Sequence, residues 1–178
     1  MKITDDEMAL ANKWFEDRKK QLSYINTCKA LFKEFKAGKL VELTPIWHSS
    51  VDKIDLKSQP HQLNEELLVE GFSFIPNVDM EELLQSFQKA FTPFIRDKKI
   101  FNSKGFVDTQ TCRIIEEWLS GKPLIPPLII MNTLLDETYP ADGKHRLKIA
   151  YYLGAKTLPI IVPNMHKERV LELITKSN

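Results

Sequence analysis

The chain holds only two cysteines, Cys28 and Cys112, far apart and outside any metal-ligand spacing. That scarcity argues against a disulfide framework or a cysteine-built zinc site, and fits two buried thiols in a reducing compartment. No apolar run approaches the length of a membrane span. The N-terminus carries Asp5, Asp6 and Glu7 where a signal peptide would be basic and then apolar, so a cytoplasmic protein without membrane contact is expected. Net charge is only +1, which excludes a surface that is generally attractive to nucleic acid. A local basic patch at Arg96, Lys98, Lys99 and Lys104 stands apart from that balance, and a solvated loop is its simplest reading. Internal repeats and low-complexity segments are absent, and the first ninety or so residues carry no recognisable motif.

What is present is the composition of a globular chain: 178 residues, 43% hydrophobic and 28% charged, enough for one domain or a domain with an extension. Thr4 with Glu7 forms a capping box that opens a helix over 4–37, with Gly38 as its stop. Met8, Ala11, Phe15, Leu22, Ile25, Cys28, Phe32 and Phe35 recur at helical spacing along it, as a core face or a face for a protein partner or a second copy. Residues 39–62 read as irregular, with a short strand near 40–43, and 63–70 as a short helix ending at Gly71. Phe72-Ser73-Phe74-Ile75 alternates like a strand, and Asp79 with Glu82 opens a helix over 80–91. A strand is expected over 94–101, and Asp108 or Thr109 caps a helix that runs to Ser120. A last helix covers 165–175, with Val170, Leu171 and Ile174 inward.

The chemistry gathers between two apolar runs. Pro126-Pro127-Leu128-Ile129-Ile130 comes first, then Asp142-Gly143-Lys144-His145-Arg146 at the start of a helix, then Leu158-Pro159-Ile160-Ile161-Val162. A helix start presents unpaired N–H groups and the positive end of the dipole. Gly143 permits a positive φ or a close approach of ligand to backbone. Lys144, His145 and Arg146 add cations where the dipole disfavours them, which points to an anion, and to phosphate first. Arg146 would grip oxygens in a fork, Lys144 would act as a mobile point charge, and His145 would donate a hydrogen bond or move a proton. Each residue also has a plain reading. Asp142 serves as an N-cap, Gly143 finishes a turn, Lys144 points to water, His145 is a satisfied histidine, and Arg146 pairs with Asp142 or Glu137.

The run from Pro126 to Val162, with Gly143-Lys144-His145-Arg146, Ala150, Leu153-Gly154 and Pro159-Ile160-Ile161-Val162, resembles the ParB/sulfiredoxin superfamily, with the likeness extending over 94–164. The resemblance implies an α+β fold: a small mixed sheet with flanking helices over 93–178, preceded by a mainly helical half over 1–92, the two forming one compact unit. It implies nucleotide phosphates, ATP or another, at Gly143, Lys144, His145 and Arg146. Asp142, His145 and Arg146 would be the catalytic set. Mg²⁺ would sit on Asp142, with Asp136 or Glu137 as alternates.

The expected activity is that of an NTP hydrolase or nuclease, in the setting of plasmids or phages where small proteins of this kind occur. The alternatives are a non-catalytic DNA-backbone- or protein-binding module that retains the phosphate site, and a small-molecule kinase of the free-serine type using Glu116 or Glu117. Two family activities are not expected. Sulfiredoxins carry a cysteine where this chain has Lys144. Partition proteins need a DNA-reading extension beyond the fold, a Gly-Glu-Arg-Arg turn, which differs here, and a following Asn-x-x-Arg helix start, of which Asn164 with Lys167 or Arg169 is only a loose echo.

Overall fold

The computed structural model describes residues 4–37, 43–52, 54, 69–101 and 106–176. Helix α1 (Asp5–Lys36) runs unbroken for 32 residues. It starts on the expected capping box, with the Thr4 amide donating to Glu7 Oε2 at 2.8 Å and the Glu7 amide to Thr4 Oγ1 at 3.3 Å. Its apolar stripe divides in two. Ile25, Cys28 and Phe32 are buried, whereas Met8, Phe15 and Leu22 remain exposed. The buried half packs on helix α4 (Phe106–Leu119), with Cys28 against Cys112 and Lys29 paired to the buried Asp108 carboxylate at 3.0 Å. Asp108 therefore lies inside the first turn of α4 rather than capping it.

Strand β1 (Phe72–Asp79) leads into α2 (Met80–Gln85), where Asp79 Oδ1 accepts from the amides of Glu81 and Glu82. The helix expected over 80–91 stops at Gln85 because the next residues bind the sheet instead. Ser86 Oγ lies 2.8 Å from Thr138 Oγ1, and the Gln88 amide donates to the Thr138 carbonyl. The strand expected over 94–101 is α3 (Thr92–Arg96), a short helix with Pro93 in its first turn, where a missing N–H does no harm. Strands β2 (Leu128–Asn132) and β3 (Glu137–Asp142) form a hairpin. Helix α5 (Lys144–Tyr152), strand β4 (Thr157–Pro163), one 3₁₀ turn at Asn164–His166 and α6 (Lys167–Thr175) complete the order.

The result is an α+β domain with a four-stranded mixed sheet in the order β1-β4-β2-β3. β1 is antiparallel to β4, and β4 is parallel to β2. A boundary at residue 92 would cut β1 away from the rest of this sheet. Prolines fall where the ladder tolerates them. Pro140 lies in edge strand β3, and Pro159 of β4 faces the bulge at Pro76 and Asn77 in β1. Ile129, Ile160, Val162, Leu147, Ala150, Val170 and Ile174 belong to the main core, while Leu128, Ile130 and Ile161 pack on the other face with Val51, Ile54 and Phe72. Trp118 donates from Nε1 to the Ile46 carbonyl at 2.9 Å, which anchors the irregular Trp47 segment to α4. Gly38, Lys104 and most of the segments at 40–43 and 63–70 fall outside the described residues.

No helix among the described residues is long and apolar enough to cross a membrane.

Candidate functional site

The double proline forms the floor of the site. Pro126 and Pro127 are buried, and the Pro127 carbonyl accepts from the Ile161 amide at 2.9 Å, fixing it to β4. β3 ends beside this floor with a bulge, because Leu128 pairs with Asp142 while Ile129 pairs with Pro140. The chain then turns into α5 through one residue. Gly143 has φ +82 and ψ 10, and it is itself the helix cap, with no side chain capping the helix. Asp142 is therefore the last residue of a strand and not an N-cap. A Cβ on Gly143 would stand 2.8 Å from Pro127 Cα and 3.1 Å from an Arg146 nitrogen. The glycine is required both by its backbone angle and by its proximity to the proline floor.

The first turn of α5 carries the expected cations. Arg146 pairs with Asp142, and its guanidinium is mostly covered. Lys144 is exposed, and among the described residues no carboxylate pairs with it. His145 is half-buried and meets the Phe94 ring edge-on, with centroids 5.3 Å apart. One turn further, Lys148 is buried at 5% exposure. Its ammonium lies 4.6 Å from the Phe94 ring centre and 3.3 Å from Asp97 Oδ2. Phe94, Asp97, Lys148 and Pro127 are site residues that the motif alone did not mark as such. Lys148 had a usable signal, since it follows Lys144 by four residues on one helix face. Phe94 and Asp97 reach α5 only through tertiary packing of α3.

Burial, and then the charges of Lys144 and Lys148, push the His145 imidazole down to about 4. It is neutral at physiological pH and can donate from one nitrogen while accepting at the other. An unfolded histidine titrates near about 6.5, so the unfolded chain takes up this proton first. Stability is unaffected by this group above that pH, and is lost as pH falls from about 6.5 toward about 4. Allowing for the ring's partial exposure, the loss should be roughly 1–2 kcal/mol. Denaturant titration near pH 7 and near pH 4.5 should show a larger drop in wild type than in His145→Gln, and equal drops would contradict this.

The carboxylates do not converge. Asp136 and Glu137 stand at the opposite end of β3 from Asp142, about 15–20 Å away along the strand. Asp136 is bound by Arg169, whose hydrogen bonds hold its carboxyl below the usual range. These alternates for a metal therefore lie away from the turn, and among the described residues no group of three or more His, Cys, Asp or Glu forms a metal cluster. Glu116 accepts from the Tyr24 hydroxyl at 2.6 Å and Glu117 pairs with Arg113, so both face other work on α4.

In the basic patch, Arg96 pairs with Glu81 at 2.5 Å. Asn164 bonds Ser73 and the Glu70 carbonyl. Cys28 and Cys112 are buried against each other, and burial raises both thiols, so neither supplies a thiolate. A cleft of ≈ 390 Å³ lies at the other end of α5, between Arg96, Lys98, Tyr151, Tyr152 and Lys156.

No family model, curated protein or solved structure matches the chain.

Proposed function

We propose that the chain is a nucleotide-phosphate-binding protein with a ParB/sulfiredoxin-like fold, and that it cleaves a phosphoanhydride or phosphodiester with Mg²⁺. The observation that carries this reading is the turn itself. A left-handed glycine opens an uncapped helix against a proline floor, with Lys144 and Arg146 in its first turn and Lys148 one turn on. Among the described residues Arg146 pairs with Asp142 and Lys148 with Asp97, while no carboxylate pairs with the exposed Lys144. Phosphate oxygens would meet the helix N-terminus and the Arg146 fork, with Lys144 closing from solvent.

Mg²⁺ commonly binds through one or two carboxylates plus substrate phosphates, and Asp142, partly exposed beside the turn, fits that donor set. When bound, the ion would neutralise phosphate charge. The remaining work falls to the chain's own residues. Arg146 exchanges Asp142 for phosphate, and the neutral His145 accepts a proton from an attacking water. The same site without turnover would serve as a nucleotide switch or a DNA-backbone contact.

Turnover assays with nucleoside triphosphates and with single- and double-stranded DNA, with and without Mg²⁺, test the reading. Wild type should turn over at least one substrate only with the metal, and Arg146→Ala should lose about 10²-fold or more of that activity. No turnover of any of them would remove the enzymatic reading and leave only binding.

A further inference from the structure

Helix α1 runs well past the described residues it packs on. Its 32 residues span about 48 Å, yet the first buried side chain is Ile25, and residues 6–17 are all exposed. The exposed half is not polar. Met8 is 52% exposed, Leu10 71%, Trp14 60%, Phe15 63% and Leu22 46%. At about 100° per residue, these five and Ala11 fall within one arc of about 160°. Leu10 and Trp14 continue the line of Cys28 and Phe32, so the face that enters the core runs on past its end. Trp14 and Phe15 pack edge to face at 5.1 Å, which gives the overhang a compact aromatic centre.

The charges identify what fits this face. Of the charged residues between 4 and 22, only Glu7 and Arg18 project within the apolar arc, near its middle and toward opposite ends of the exposed length. Asp6 adds to the acidic end, and Lys19 and Lys20 to the basic end. A second copy of this helix laid antiparallel places unlike charges together. With the twofold axis between Asn12 and Lys13, Glu7 faces Arg18 of the other copy, and small Ala11 faces large Trp14. A parallel pair would instead set Glu7 on Glu7 and Arg18 on Arg18. Glu7 is already held by Thr4 through Oε2 and Arg18 by Gln21 at 2.7 Å, so both are ordered before pairing.

We infer that the chain forms an isologous dimer through antiparallel pairing of the N-terminal halves of α1, with Glu7 and Arg18 exchanged between copies. This inference stands apart from the phosphate site and does not depend on it.

Charge reversal tests it directly. Glu7→Arg has only cations in the arc, and Arg18→Glu only carboxylates, so each full-length variant repels itself. Mixed one to one, they restore both opposite-charge pairs in a heterodimer. Sedimentation over a wide concentration range should show a dimer for wild type, weakening by about tenfold or more in each variant alone, and recovery in the mixture. Glu7→Arg also breaks the Thr4 bonds, so the mixture carries the argument. Trp14→Asp should abolish the dimer and leave the circular dichroism of the folded chain unchanged, since that side chain leaves the core untouched. A monomeric wild type, a dimer indifferent to Trp14→Asp, or variants that fail to recover on mixing would each overturn the inference.

Discussion

Gly143→Ala should destabilise the protein by about 3 kcal/mol, more than any other single added methyl in the site. Two costs add. A left-handed backbone costs an L-residue about 1–2 kcal/mol. The new Cβ would also stand 2.8 Å from Pro127 Cα, which is backbone and is tied to β4 through the Ile161 amide. Neither side yields easily, and overpacking of this kind costs roughly 1–3 kcal/mol. Gly154 supplies the control. Its φ is +81, nearly the same, but nothing lies within 4 Å of its added Cβ. Gly154→Ala should therefore cost only the backbone share, about 1 kcal/mol. Denaturant unfolding of the two variants measures the difference, and equal losses would show that the proline floor does not press on the turn.

Arg146→Ala should weaken nucleotide binding by about 10²-fold, the value of a charge-assisted, two-pronged grip at a covered site. Arg146→Lys should recover little, because the ammonium has no fork. Asp142→Asn should act in the opposite direction on binding without metal. Arg146 is held by Asp142 in the absence of ligand, so removing that charge releases the guanidinium for phosphate. Affinity for metal-free nucleotide should rise while Mg²⁺-dependent turnover falls. Titration calorimetry of the three variants checks this, and a loss of metal-free affinity in Asp142→Asn would refute the exchange.

Local chemistry was legible in the sequence wherever a few neighbouring residues determine the backbone. The Thr4–Glu7 box, the Asp79 cap and the glycine at the 142–146 turn all stand where their spacing put them. Distant pairing overrode local pattern elsewhere. The 80–91 helix ends early because Ser86 and Gln88 bond to Thr138, a partner about fifty positions away. The stretch from Phe94 to Phe101, with a basic side between apolar ends, reads as a strand, yet Pro93 starts a helix that sets Phe94 against His145 and Lys148. Asp142 looks like an N-cap by composition, but the bulge in the hairpin keeps it in β3 and gives it Arg146 as a partner. The stripe on α1 was visible as one feature, and only the packing shows that its first half has no cover within the described chain.

The central claim is that the turn at Gly143 holds nucleotide phosphate, and melting temperature in the presence of nucleotide tests it most directly. Millimolar ATP, ADP, CTP or GTP with Mg²⁺ should stabilise wild type by mass action. A ligand at about one hundred times its dissociation constant contributes about 2.7 kcal/mol. For a domain of this size that is a rise of roughly 5–10 °C. At least one nucleotide should produce it in wild type and none in Arg146→Ala. An unchanged melting temperature with every nucleotide, or an equal rise in Arg146→Ala, would contradict the assignment.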